Sequence, residues 1–345
     1  MSMATKSFGT TKEGAEVTLY TLTNKNGMSV SAIDYGANLV SLVVPDKNGK
    51  AEDIVLGFDE VAEYEVNGCF FGAFIGRHGN RIGQAKFELN GKTYELEKND
   101  GENNLHGGTP GYHQVMYQAS TTDHSVTFTR VSPDMEQGYP GNLEISLTYT
   151  LTDDNELKLE YETKSDQDTL CNLTNHSYFN LKGHKGGEIT DHIVTIQANG
   201  FTGTSEDLIP DGTIVDVTGT PMDFRQPRKI ADDIDSEYGP IVLAGGYDHN
   251  FVLDKPEGTF AKVAEVTEET SGRTMEVYTD LPGMQLYSGN FIVKENGKEG
   301  HTYTKRTGLC FETQFFPNSI NVPSFTPCIL KKGETFQSTT VYKFV

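Results

Sequence analysis

The strongest constraint on this chain is an alternation of apolar and polar residues with a period of two. From Leu143 to Leu151 the odd positions are Leu, Ile, Leu, Tyr and Leu, and the even ones Glu, Ser, Thr and Thr. The pattern returns in Leu157, Leu159 and Tyr161 against Lys158, Glu160 and Glu162. Successive side chains of an extended strand point to opposite faces, so each segment offers one face to a core and the other to water. Asp153-Asp154-Asn155-Glu156 separates the two, and together they read as a hairpin. Asn-Gly, the pair that best tolerates the positive φ of a tight hairpin turn, recurs at Asn26-Gly27, Asn48-Gly49 and Asn90-Gly91. The last is flanked by Phe87, Leu89, Tyr94 and Leu96. Helical patterns are short and scarce, about Asp59 to Val66 and Arg228 to Glu237. Turns rather than helices therefore join the strands, which predicts an all-β antiparallel sandwich or barrel and disfavours a parallel sheet with crossover helices. No linker, composition shift or short repeat interrupts the pattern, so residues 1–345 read as one large β domain with a few short helices.

A formal net charge of −21 works against nucleic acid and anionic membrane surfaces as partners, both of which repel such a chain. It also makes a polyphosphate substrate less natural. The four cysteines, Cys69, Cys171, Cys310 and Cys328, form no CxxC pair, and the expectation is free, mostly buried thiols in a cytoplasmic protein. Met1 to Lys6 starts no apolar leader, and no stretch approaches the about 18 apolar residues of a membrane span.

Polar residues stand out in five segments. In Thr174-Asn175-His176-Ser177-Tyr178-Phe179-Asn180-Leu181, read as a strand, Thr174, His176, Tyr178 and Asn180 share one face, and Phe179 and Leu181 the other. That face suits a small polyhydroxylated ligand, with one imidazole able to move a proton; the plainer reading is a strand facing water. Gly76-Arg77-His78-Gly79-Asn80-Arg81-Ile82 has glycines that permit close backbone approach and donors in Asn80 and Arg81, or is simply a glycine turn. Asn104-Leu105-His106-Gly107-Gly108 puts a His at a tight bend, equally a solvent-facing loop. In Gly245-Gly246-Tyr247-Asp248-His249-Asn250-Phe251 the carboxylate of Asp248 enters a strand, as turn cap or as acceptor for two hydroxyls. Leu309 to Pro317 puts Cys310, Glu312 and Gln314 on one face and Leu309, Phe311 and Phe315 on the other; burial of Glu312 there raises its pKa toward that of a general base. No HExxH, HxH or cysteine pair marks a metal site, no GxSxG a serine hydrolase, and no GxxxxGK[ST] a nucleotide loop.

The ordered set of motifs resembles the aldose 1-epimerase, or galactose mutarotase, family. The likeness rests on Gly76-Arg77 with Asn80-Arg81-Ile82, on Asn104 to Gly108 and on Gly138-Tyr139-Pro140-Gly141. It continues through Thr174 to Leu181, Pro210-Asp211-Gly212, Pro221 to Arg225 and Asp248 to Phe251. Pro282-Gly283 with Gln285, Gly289-Asn290-Phe291 and Phe311 to Gln314 complete it. The resemblance implies a large antiparallel supersandwich holding a monosaccharide. It implies His176 as general acid, Glu312 as general base, and Asn80, Arg81, His106, Tyr178, Asp248 and Gln285 around the sugar. Anomer interconversion by ring opening needs no cofactor and no metal, and the expected partner is a free aldohexose such as galactose or glucose, on a monomer or homodimer. In that reading the Glu312 carboxylate keeps His176 an imidazolium. The family often carries a Trp after the His-Gly-Gly loop; this chain has no Trp and offers Tyr112-His113 there. Rival readings are a hexose 6-phosphate 1-epimerase, a non-catalytic sugar-binding protein on the same fold, and a polysaccharide-cleaving enzyme, which needs two carboxyl groups where this chain pairs Glu with His.

Overall fold

The computed structural model describes residues 2–345. Three antiparallel sheets dominate it. The first is a five-stranded meander running in chain order from Ser2–Thr10 to Ala51–Asp53. The second has nine strands and is built around the expected hairpin, Leu143–Leu151 with Glu156–Ser165, whose register closes at Leu151 and Leu157. Its odd residues, Leu143, Ile145, Leu147, Tyr149 and Leu151, are buried. The strand Thr335–Phe344 lies in the middle of this sheet, between Glu156–Ser165 and Thr274–Thr279. The third sheet has five strands in the order Pro210–Asp216, Ala198–Thr204, Asp248–Leu253, Gly283–Tyr287, Cys310–Gln314.

One Asn-Gly pair forms the tight turn of the hairpin rule; at Asn26-Gly27 and Asn48-Gly49 only the glycine has positive φ, 83° and 82°, in longer connections. Asn90 and Gly91 both have positive φ, 53° and 75°, and join Lys86–Leu89 to Lys92–Glu95. The main core lies between the nine-stranded sheet and the inner face of the third, where Leu147, Leu159 and Tyr342 meet Phe251, Leu286 and Phe311. Because side chains alternate along a strand, burying Phe311 sends Cys310, Glu312 and Gln314 to the opposite face.

Three local expectations change in the structure. The helix expected over about 59–66 is a single turn, Val61–Tyr64, held at its start by Glu63 Oε2, which accepts from the backbone N–H of Asp59 and Glu60. No α-helix forms over 228–237: Arg228–Lys229 pairs as an edge strand with Ile193 and Val194, and Ile230–Asp232 is one 3₁₀ turn. The second α-helix is Gly239–Ala244, with Pro240 in its first turn and Gly245 closing it at φ 66°. The strand expected over 174–181 ends at His176, because the Asn175 side chain accepts from both the N–H and the hydroxyl of Ser177 and turns the chain. Phe179 then re-enters a sheet-like register, exchanging backbone hydrogen bonds with Leu309. All four cysteines are unbridged, and Cys171, Cys310 and Cys328 are buried. Among the described residues no helix is long and apolar enough to cross a membrane.

Candidate active site

A cavity of about 680 Å³ opens on the outer face of the third sheet. His176 and Glu312 reach it from different elements. Thr174–His176 pairs with Ala73–Ile75 and packs against Cys310–Gln314, and the Phe179–Leu309 exchange fixes the slide of one past the other. The result puts His176 Nε2 3.6 Å from Glu312 Oε1, with both side chains almost wholly buried at 6% and 2% exposure. The second carboxyl oxygen, Oε2, has no hydrogen-bond partner among the described residues. A buried polar atom left open in this way is costly unless something else meets it.

Burial pushes the Glu312 carboxyl well above the usual carboxylate range; the negative charge of Asp248 adds to this, and the guanidinium of Arg81 opposes it. Burial pushes His176 down to about 4. Its ring is packed against Tyr178 (4.9 Å between centroids), Phe70 (5.8 Å) and Tyr287 (6.0 Å). Against the imidazolium expected from sequence, burial favours the neutral form of both partners, lowering the basicity of His176 and raising the Glu312 carboxyl. The expectation counted the burial of Glu312 and the pair's attraction but left out the desolvation of His176. The two descriptions contain the same single proton and differ only in which partner carries it.

His106 follows a tight bend with φ 52°, and Gly107 after it has φ 86°. A Cβ on Gly107 would lie 2.3 Å from the Gly76 carbonyl oxygen, so the loop closes only with glycine there. His106 exchanges two bonds with Asn80: its N–H donates to the Asn80 carbonyl, and its Nδ1 accepts from the Asn80 N–H at 3.1 Å. That second bond fixes the tautomer. A ring whose Nδ1 accepts carries its proton on Nε2, and burial keeps the ring neutral. His106, His176 and Glu312 hold potential ligand atoms within 4.8 Å of one another. They do not suit a metal ion, however, because His106 can offer a lone pair at Nε2 only by shedding a proton or breaking its bond to Asn80.

The remaining candidates fall into two groups. Asn80, Arg81, Tyr178 and Asp248 line the cavity. Arg81 Nε donates to Asp100 Oδ2 at 2.7 Å, and the Arg81 N–H to Asn80 Oδ1. Tyr178 turns its hydroxyl to the Cys69 carbonyl (2.7 Å), so its ring is what faces the site. Gln285 stands behind the wall, donating to Asp248 Oδ1 at 2.6 Å and accepting from Gln314. Of the polar row proposed for 174–181, Thr174 and Asn180 lie outside the cavity. Thr174 is buried, and Asn180 donates to the carbonyls of Gly187 and Thr307.

The family model for aldose 1-epimerase matches residues 18–343. A galactose mutarotase of Sus scrofa is 42% identical over all of this chain and 99% of its own length. The aldose 1-epimerase of Escherichia coli K12 is 35% identical over 96% of each. The chain belongs to the aldose 1-epimerase family. The crystal structure of an aldose epimerase homologue from C. elegans superimposes with a TM-score of 0.87 at 30% identity, covering 94% of this chain and 98% of that one. The galactose 1-epimerase of Lactobacillus acidophilus also gives 0.87, at 27% identity over 100% and 99%. This aldose 1-epimerase is an isomerase with the large antiparallel fold of its relatives. Among the cavity-wall residues that sequence reasoning missed are Phe70, Tyr287 and Asp100. Tyr287 was within reach of strand parity, since Gln285 and Tyr287 share a face; Phe70 and Asp100 lie outside the regular strands, where no periodicity marks them.

Proposed function

We propose that this epimerase interconverts the α- and β-anomers of free aldohexoses such as galactose and glucose, with Glu312 as base and His176 as acid. The observation that carries the proposal is the convergence of a buried carboxyl, one oxygen of which has no hydrogen-bond partner among the described residues, and a buried imidazole 3.6 Å away in one cavity. Ring opening removes the proton of the C1 hydroxyl and delivers one to the ring oxygen. An acid and a base sharing a single proton supply both in one event. The proton must lie on His176 when the sugar is bound. A C1 hydroxyl donating to Glu312, with Arg81 nearby, favours the carboxylate and so the imidazolium. Rotation about C1–C2 turns the other face of the aldehyde, and the same two groups, roles exchanged, close the ring.

His106 offers an Nε2–H donor to a sugar oxygen, and Asp248, braced by Gln285, offers acceptors for hydroxyls, a positioning role. Asn80, Arg81 and Tyr178 complete the wall. Nothing in this route needs a cofactor. The rim bears on the rival substrate class: Asp100, Glu102, Glu206 and Asp207 line the cavity, and a hexose 6-phosphate would bring a dianion to them. The deciding experiment follows optical rotation of freshly dissolved α-D-galactose and α-D-glucose with and without enzyme, beside the two 6-phosphates. Faster equilibration of the phosphates than of the free sugars refutes the assignment. We place the protein in the cytoplasm as one folded unit over 1–345, monomeric or dimeric and without nucleic-acid or membrane partners, on the strength of its unbridged thiols and net charge of −21.

A further inference from the structure

Phe70 combines two features that pull against each other. Its backbone is left-handed, φ 60°, a conformation costly for a bulky side chain and easy for glycine. Its ring nonetheless lines the cavity, half-buried, within 4.7 Å of the His106 ring, 5.0 Å of His113 and 5.8 Å of His176, nearly parallel to the last at 27°.

The turn that imposes this is held rigidly. Buried Asn67 donates to the Phe71 carbonyl and accepts from the Phe71 N–H, Phe70 donates to the Asn67 carbonyl, and Ala73 donates to the Phe70 carbonyl. Phe71 fills the core against Phe58, Tyr178 and Tyr303, so the two adjacent rings go opposite ways. A glycine at position 70 would meet the needs of the turn. Retaining a phenyl group at a backbone cost points to a use for the ring. A flat aromatic face is the natural match for the apolar C–H surface that a pyranose presents beside its hydroxyls. The same ring also packs edge-on against buried His113, whose Nδ1 has no hydrogen-bond partner among the described residues.

We infer that Phe70 is a positioning residue of this site: its ring carries the C–H face of the hexose and screens the His106–His176 pair from water. The inference rests on the acid–base site proposed above. Losing the platform weakens sugar binding, and admitting water beside His176 moves that imidazole back toward its ordinary basicity. The second effect raises the pH at which the pair takes up a surplus proton and activity falls on the acid side.

The test measures anomerisation of α-D-galactose by polarimetry for the parent, Phe70→Tyr, Phe70→Ala and Phe70→Gly, across pH 4 to 8, with thermal melts of each. The alanine and glycine variants are expected to raise KM about five- to tenfold, the size of one lost aromatic contact. They are also expected to shift the acid limb of kcat/KM upward in pH, while Phe70→Tyr stays close to the parent. Phe70→Gly is expected to melt no lower than Phe70→Ala, because it relaxes the left-handed backbone, and it carries the kinetic test should the alanine variant fail to fold. An active parent with unchanged KM and pH profile in Phe70→Gly overturns the role of Phe70 alone. A parent that does not anomerise galactose or glucose overturns the site assignment and this inference with it.

Discussion

Replacing Glu312 by Gln is expected to make the protein more stable and nearly inactive at the same time. Gln keeps the shape of the side chain but cannot take a proton, so turnover falls by about 10²- to 10⁴-fold. The stability gain follows from linkage. Glu312 is 2% exposed, lacks a partner for Oε2 among the described residues, and is held well above the usual carboxylate range by burial and by Asp248. An unfolded Glu ionises near pH 4.3. Below that pH both states carry the proton and the group is neutral in its effect. Above it the unfolded chain releases the proton and the folded one does not. Each further pH unit then costs the native state about 1.4 kcal/mol until the folded carboxyl itself ionises. For 345 residues the unfolding entropy is about 0.7 kcal/mol per kelvin, so each pH unit in that window corresponds to about 2 °C in Tm. Scanning calorimetry of parent and Glu312→Gln from pH 4 to 8, beside polarimetric rates, reads both effects. Equal melting temperatures at pH 7, or a Gln variant that still turns over at the parent rate, refutes the reasoning.

His176→Asn is expected to abolish turnover with little change in fold; an active variant moves the acid role elsewhere. Asp248→Ala should chiefly raise KM, and a change confined to kcat would contradict its positioning role. Four buried imidazoles, His78, His113, His176 and His249, are held down to about 4, 3, 4 and 4 by burial. Their contribution is complete above the unfolded pKa near 6.5, and below it each costs about 1.4 kcal/mol per pH unit until its folded pKa is reached. Urea melts should therefore show a steep loss of stability between pH 6 and 4, larger than the opposing gain from Glu312, and a flat profile refutes the neutral histidines. Chelators should leave activity untouched, and loss with EDTA restored by a divalent ion would revive a metal at His106, His176 and Glu312.

Strand parity made much of this architecture legible. Alternation identified the Leu143–Leu151 hairpin and sent Glu312 away from Phe311, because burial of one face determines the other. Motif likeness brought forward His106, His176 and Asp248, which no period connects. What parity missed lies where side chains override it. Asn175 ends a strand through bonds to Ser177, and Asn67 forces Phe70 into the left-handed region. The position of the shared proton was also out of reach. It depends on how completely three aromatic rings dry His176, which is a property of packing and not of order along the chain. The helix expected over 228–237 and the unforeseen Gly239–Ala244 have another reason: segments this short leave too few turns for a 3.6-residue pattern to emerge.

The strand Thr335–Phe344 fills the gap between Glu156–Ser165 and Thr274–Thr279. During synthesis, the widest layer of the protein therefore stands divided until this late segment leaves the ribosome, with two unsatisfied ladders facing each other across one empty lane. A polypeptide stopped at residue 334 should bind a synthetic peptide of residues 335–344 by completing that lane, which would turn the enzyme into a two-part reporter assembled on mixing.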